Sequence, residues 1–238
     1  MNKLGFRAAI VLTLAALSAP AAAEPILLSS ANVGNSFTVN FNGFTGDGTV
    51  AGLLGSAIFT LTNVTSNSYG FSYVINNDSV DPIDTARISG FGFNTNPEIA
   101  GATSTGTFTK TALGGNVPNV GTVDVCFKAG GGGNSCAGGG GGGVTMGQSG
   151  SGTLKLNFAS PLTSLTLDDF FVRYQSITGA GSVSSAVGTG TVVSSSGGST
   201  SGGTQVPEPG VVGLFAVGVL GMGWALGRRR KMQGAQQA

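Results

Sequence analysis

The stretch Val123-Asp124-Val125-Cys126-Phe127-Lys128 alternates apolar and polar side chains at every step, and two residues later it runs into Gly130–Gly133. A period of two puts Val123, Val125 and Phe127 on one face of a strand and Asp124, Cys126 and Lys128 on the other. No internal stretch of the chain shows a convincing helical period. Working outward, the same alternation recurs in Phe37/Val39/Phe41, Phe59/Leu61, Phe71/Tyr73/Ile75 and Leu154/Leu156/Phe158. It recurs again from Leu165 to Tyr174, and in Ile88–Phe93, where Gly90 and Gly92 soften it. Gly, Asn, Ser and Pro separate these runs, as turns require. The pattern predicts an all-β domain over residues 24–193, an antiparallel β-sandwich or jelly roll, with no internal helix.

Composition narrows the chemistry. The chain has 238 residues, 43 of them Gly, only 9% charged and none histidine. Without imidazole there is no Ser-His-Asp or Cys-His nucleophile, no His-ligated zinc and no proximal haem ligand. The net charge of +1 is unevenly spread. Lys3 and Arg7 lie at the amino end, Arg228, Arg229, Arg230 and Lys231 at the carboxyl end, and the middle is mildly acidic. That middle lacks the basic stripe of a nucleic-acid binder.

Thirteen of the 24 residues from Ala129 to Gly152 are Gly. With no side chains to pack, they predict a flexible surface loop over 129–152 between two strands. A phosphate-cradling loop would need a following helix, and a collagen-like segment would need a three-residue period; neither pattern is present. Cys126 and Cys136 bracket the first Gly run. An even cysteine count in an exported chain predicts a disulfide between them; two thiols without His or a second pair make a poor zinc site.

The acids offer little for catalysis. Adjacent residues of a strand point to opposite faces, so Asp168 and Asp169 cannot by themselves form the facing carboxyl pair of a glycoside hydrolase. No other pair is selected by spacing, and the expectation is a protein that is not an enzyme and needs no cofactor. Asp78, Asp81 and Asp84 form a spaced acidic cluster in Asn76–Asp84. Such oxygens can hold calcium, but the run lacks the alternate-residue spacing of a calcium loop. The alternative is an Asx-rich turn.

Both ends have the patterns of addresses. At the amino end a basic Met1–Arg7, an apolar Ala8–Leu17 and Ala21 and Ala23 in A-x-A positions predict a signal peptide over 1–23, leaving Glu24 as the first mature residue. Its apolar run, about 15 Å as a helix, is half a bilayer core. At the other end a Ser/Gly linker (194–205) leads to a tail over 206–238. The tail opens with Val206-Pro207-Glu208-Pro209, continues through the uncharged Val211–Leu226 and ends in Arg228-Arg229-Arg230-Lys231. The prolines keep the first element extended. The apolar run predicts one short transmembrane helix of about 24 Å, and the basic tetrad holds its end in the cytoplasm.

This tail resembles the PEP-CTERM sorting signal of Gram-negative bacteria. The resemblance implies recognition of Val206–Pro209 by an exosortase, a membrane protease-transpeptidase. It also implies export, processing and placement at the cell surface or in the extracellular matrix, often alongside exopolysaccharide. An ordinary single-pass anchor is the other reading of the same residues. Two functions follow for the domain. One is a non-enzymatic surface or matrix protein whose Ser, Thr and Asn side chains suit polysaccharide. The other is a lectin-like carbohydrate-binding module, which would need exposed aromatics.

Overall fold

The computed structural model describes residues 25–131, 133–139 and 141–196. The signal segment (1–23) and the sorting tail (206–238) lie outside the described residues. The chain divides into two units after Ser196, and the described residues all belong to the first.

Among the described residues this unit has fourteen strands. They are β1 (Ile26–Leu28), β2 (Ser36–Phe41), β3 (Phe44–Thr45), β4 (Gly48–Thr49), β5 (Gly55–Thr65), β6 (Ser68–Asn76) and β7 (Thr85–Asn96). They continue with β8 (Gly101–Ser104), β9 (Lys110–Val117), β10 (Gly121–Lys128), β11 (Val144–Thr145), β12 (Ser149–Asn157), β13 (Leu165–Thr178) and β14 (Ser185–Ser196). All pairings are antiparallel. The domain is all-β, and among the described residues the one helical turn is the 3₁₀ segment Ser30–Asn32.

The main path runs β8-β12-β6-β5-β2-β14-β13-β7-β10-β9. Its two ends meet, with the Thr111 hydroxyl of β9 donating to the Ala102 carbonyl of β8 at 3.3 Å. The sheet is thus nearly closed, which removes most of the exposed edge that an open sheet would present. β14 bridges its two halves. Its first half pairs with β13 (Phe171↔Thr189 to Gln175↔Ser185) and its second with β2 (Gly190↔Phe41 to Ser196↔Ser36).

The halves face one another across an aromatic core, because the predicted apolar runs turn one alternating set inward, Val123 and Phe171 being exceptions that pack in a separate cluster. Phe59 of β5 reaches Phe91 and Phe93 of β7 and Phe170 of β13 at centroid distances of 5.7, 6.2 and 5.9 Å. All three tyrosines are buried with them. The Tyr73 hydroxyl donates to the Thr105 carbonyl at 2.8 Å and accepts from the Phe108 N–H at 3.1 Å.

Seven strands escape the alternation reading (β1, β3, β4, β8, β9, β11 and β14), and β9 and β14 are the longest of them. In β14, Ala186 and Val187 are buried, but Gly188 and Gly190 sit where a side chain would strike the Asn42 carbonyl or the Val39 and Phe170 side chains. Glycine here is a packing residue, so the apolar signal is missing. β14 also continues to Ser196, three residues into the stretch read as linker, pairing with Thr38, Phe37 and Ser36.

Candidate functional site

The chemistry-bearing side chains gather on the outer face of β7, β10 and β13. One end of that face is cationic. β10 finishes at Lys128, and the Gly-rich segment after it folds back over the face. The Lys128 ammonium donates to the Gly133 and Ser135 carbonyls, both at 2.8 Å. Arg173 Nε and Gln175 Nε2 donate to the Ala137 carbonyl at 3.1 and 2.9 Å. Arg87 donates to the Gly139 carbonyl at 3.1 Å and also to that of Gly142. Lys128 and Arg173 are buried, and burial pushes both pKa values down.

This corrects the expectation of a loose loop. The glycine backbone has no side chains to pack, yet its carbonyls serve as the ligands of three cations, and hydrogen bonds to charged groups are the stronger kind. The loop is also shorter than 129–152. Val144–Thr145 pair with Ile88 and Arg87 as β11, and β12 begins at Ser149. Close packing again hides the strand, since a Cβ on Gly150 would press on Val144 and Thr107.

The predicted disulfide is present. Cys126 of β10 and Cys136 of the loop are bonded, with Cα atoms 5.9 Å apart. Cys136 N–H also donates to the Asn116 carbonyl of β9 at 3.1 Å. The bridge belongs to a small second apolar layer with Val117, Val123, Phe171 and Val187. Replacing both cysteines by Ala is expected to lower stability by about 2–3 kcal/mol through loop closure. Urea unfolding with and without reductant checks this. Reductant should reproduce the loss in the parent and leave the variant unchanged.

The other end of the same face is acidic. Asp124 of β10 and Asp168 of β13 flank Asn94 of β7, which is the Cα partner of Asp168. Asn94 Nδ2 donates to Asp169 at 3.0 Å, Asp124 N–H donates to Asn94 Oδ1 at 3.0 Å, and the Thr95 N–H donates to Asp124 at 2.8 Å. The expectation that Asp168 and Asp169 diverge to opposite faces does not hold. The register breaks between Asp168 and Phe171, and Asp169 takes a φ of 47°, so the bulge brings both carboxylates beside Asn94.

Burial first, then the charges of Asp169 and Asp124, push the Asp168 pKa up. A raised folded pKa means its protonated form favours folding, and that contribution is lost as pH rises through the folded value. Asp168→Asn is therefore expected to gain a few tenths of a kcal/mol at pH 7, a gain that fades below the carboxylate range. Thermal melts of the two proteins from pH 3 to 8 check the sign.

Beside Asp169, where β14 passes from β13 to β2, lies a cleft of about 360 Å³, lined among others by Asn94, Thr122, Asp169, Thr189 and Thr191. It offers hydroxyls, an amide and a carboxylate, a lining able to hydrogen-bond a polyhydroxylated molecule. No aromatic side chain is exposed among the described residues; Phe44 is the least buried.

The acidic stretch Asp78, Asp81 and Asp84 is a turn. Asn77 Oδ1 accepts from the Ser79 hydroxyl at 2.7 Å, and its amide donates to the Ala86 and Val144 carbonyls at 3.0 and 3.1 Å. Asp78 accepts from Ser56 at 2.7 Å. The calcium reading finds no support in this arrangement, because no group of three acidic or thiol side chains among the described residues converges to hold a metal.

Ala21 and Ala23, Val206, Pro207, Glu208 and Pro209, and Arg228, Arg229, Arg230 and Lys231 lie outside the described residues. Comparison with known families bears on the tail. Residues 205–231 match the PEP-CTERM protein-sorting motif, spanning the Val206–Pro209 element, the apolar run and the basic tetrad. No curated protein matches the chain.

Proposed function

We propose that this is an exported, non-enzymatic surface or matrix protein whose β-domain is carried by its tail to an exosortase-type protease, processed there and left outside the cytoplasmic membrane in company with polysaccharide. The observation that carries this reading is the match of residues 205–231 to a sorting motif. Three physical points support it. The basic tetrad keeps the chain end inside, so the Pro-Glu-Pro element faces outward if Val211–Leu226 crosses. Nine residues (197–205) separate the last strand from Val206, up to about 30 Å of chain, enough for a membrane enzyme to reach the Pro-Glu-Pro element clear of the folded domain. β1 begins at Ile26, two residues beyond the predicted mature end Glu24, so the signal peptide is removed close to the first strand.

The lectin-like alternative has less behind it. Carbohydrate pockets commonly stack sugar rings on exposed aromatics, and the described tyrosines and nearly all the phenylalanines are buried in the core.

Pulse-chase labelling tests the reading. In wild-type cells the chain is expected to lose its tail within the chase. Pro207→Ala with Glu208→Ala should hold it at full length in the membrane, a change of the processed fraction from nearly all to nearly none. Intact mass of the surface form should begin at Glu24. If both proteins keep the apolar tail with equal membrane association, the segment is a plain anchor and the sorting reading is wrong.

A further inference from the structure

The two outer faces of this sheet differ in chemistry. β7, β9, β10 and β13 together carry Arg87, Lys110, Asp124, Lys128, Asp168, Asp169 and Arg173. β2, β5, β6 and β12 carry a single charged residue, Lys155. Sequence position does not explain the contrast, because these four strands come from three separate parts of the chain. Their inward positions are the apolar core. Their outward positions are almost all hydroxyl or amide.

The registers line those groups up. Ser36 pairs with Thr60, Thr60 with Ser72, and Ser72 with Thr153, making one row of hydroxyls across four strands. Asn40, Ser56, Asn76 and Ser149 make a second row by the same registers. Neighbours within the rows bond one another: Ser36 to Thr60 at 2.7 Å, Asn76 to Ser56 at 3.0 Å and Ser149 to Asn76 at 2.6 Å. Between the rows lies an apolar pair, Ile58 opposite Val74, 39% and 37% exposed. Strands stand about 4.8 Å apart and same-face residues about 6.8 Å apart. The face is therefore a lattice of mostly uncharged donors and acceptors with an aliphatic pair at its centre, flanked in its own row by Thr38 and Ser151.

We propose that this face docks a neutral polysaccharide, an inference that rests on the exported-surface reading above and names its partner. A pyranose chain has the matching composition: equatorial hydroxyls along its edges and axial C–H groups on its ring faces. The hydroxyl and amide rows meet the edges, and Ile58 and Val74 meet the ring faces. With Lys155 the single cation on these strands and the Asp78 carboxylate bonded to Ser56, the face suits a neutral polymer and offers an anionic one little to pair with. A protein partner would be expected to find aromatic or Arg anchors at the centre of such a patch, and there are none. Many weak contacts along a repeating chain add up without any deep pocket.

The test uses the full-length chain in mild detergent, sedimented with insoluble neutral β-glucan (cellulose and curdlan as separate probes) and with cross-linked alginate as the anionic comparison. Retention on at least one neutral glucan is expected, unchanged in about 0.5 M NaCl, where screening would abolish a charge-driven contact. Thr60→Val with Thr153→Val removes two hydroxyls while keeping strand-favouring side chains. Ser72→Asp places a charge on the same row. Each is expected to weaken retention about tenfold or more, equivalent to about 1.4 kcal/mol. Thr122→Val in the cleft of the other face should leave retention intact. Thermal melts confirm that every variant folds; should one fail to, the other two carry the comparison. No retention on either glucan, equal retention of both face variants, or a salt-sensitive preference for alginate overturns the proposal. The Pro207→Ala, Glu208→Ala chain separates the two ideas. It should bind glucan like wild type, so a processing failure with normal retention strikes the sorting reading alone.

Discussion

Phe59→Ala is expected to cost the domain about 3–5 kcal/mol, the range for emptying a buried aromatic site. Phe59 is 2% exposed and stands at the centre of the core. Its ring stacks on Phe37 at 5.3 Å and meets Phe91, Phe93 and Phe170 from the opposite half of the sheet. Losing it removes transfer free energy and leaves a cavity that four neighbouring rings, themselves interlocked, cannot collapse to fill. With total stabilities of small domains near 5–15 kcal/mol, one such change removes a large part of the whole. Ile58→Ala, one position along and on the outer face, is the comparison, expected to stay within about 1 kcal/mol. Urea unfolding of both proteins decides it; equal losses would mean that the aromatic cluster is not the core.

The second large effect is expected at a glycine. Gly92→Val should lower stability by about 4 kcal/mol or more, enough to leave much of the protein unfolded. Gly92 is paired with Cys126 on one side and Phe171 on the other. A Cβ there would run into the Val125 carbonyl and the Phe171 ring. Phe171 is 1% exposed, held beneath the disulfide-tied loop, and the carbonyl belongs to a paired strand, so neither can move cheaply. Gly141→Ala is the contrast. Nothing lies within 4 Å of its Cβ position, and the substitution should be neutral or gain up to about 1 kcal/mol by restricting the unfolded chain. Circular dichroism melts of the two variants give opposite signs if this is right. A folded Gly92→Val protein with an unchanged midpoint would refute the close packing of Phe171 against Gly92.

These two residues show where reading the chain stops. Phe59 is legible from alternation alone, because inward and outward positions differ by one residue and the solvent decides which set is apolar. Gly92 reads as a weak point in a strand, although it is the clearance that lets Phe171 lie flat against β7. A glycine's role depends on what stands opposite, and that residue is 79 positions away. β9 and β14 went unread for the same reason.

By itself the sequence determined whatever depends on neighbours along the chain. The β class follows from period-two alternation, the disulfide from two cysteines in an exported chain, and the sorting tail from four elements in order. Only the tertiary structure decided what depends on register between distant strands. It set the strand order and the bridging by β14. It folded the Gly-rich segment onto Arg87, Lys128 and Arg173, whose side chains find their partners in backbone carbonyls that carry no residue-type signature. It brought Asp124, Asp168 and Asp169 round Asn94 through a bulge at a left-handed Asp169. It also aligned Ser36, Thr60, Ser72 and Thr153 into one row. Each of those hydroxyls is unremarkable in its own strand. A one-residue slip in any pairing would send a strand's outward set into the core, so burial of the opposite face holds the row in line.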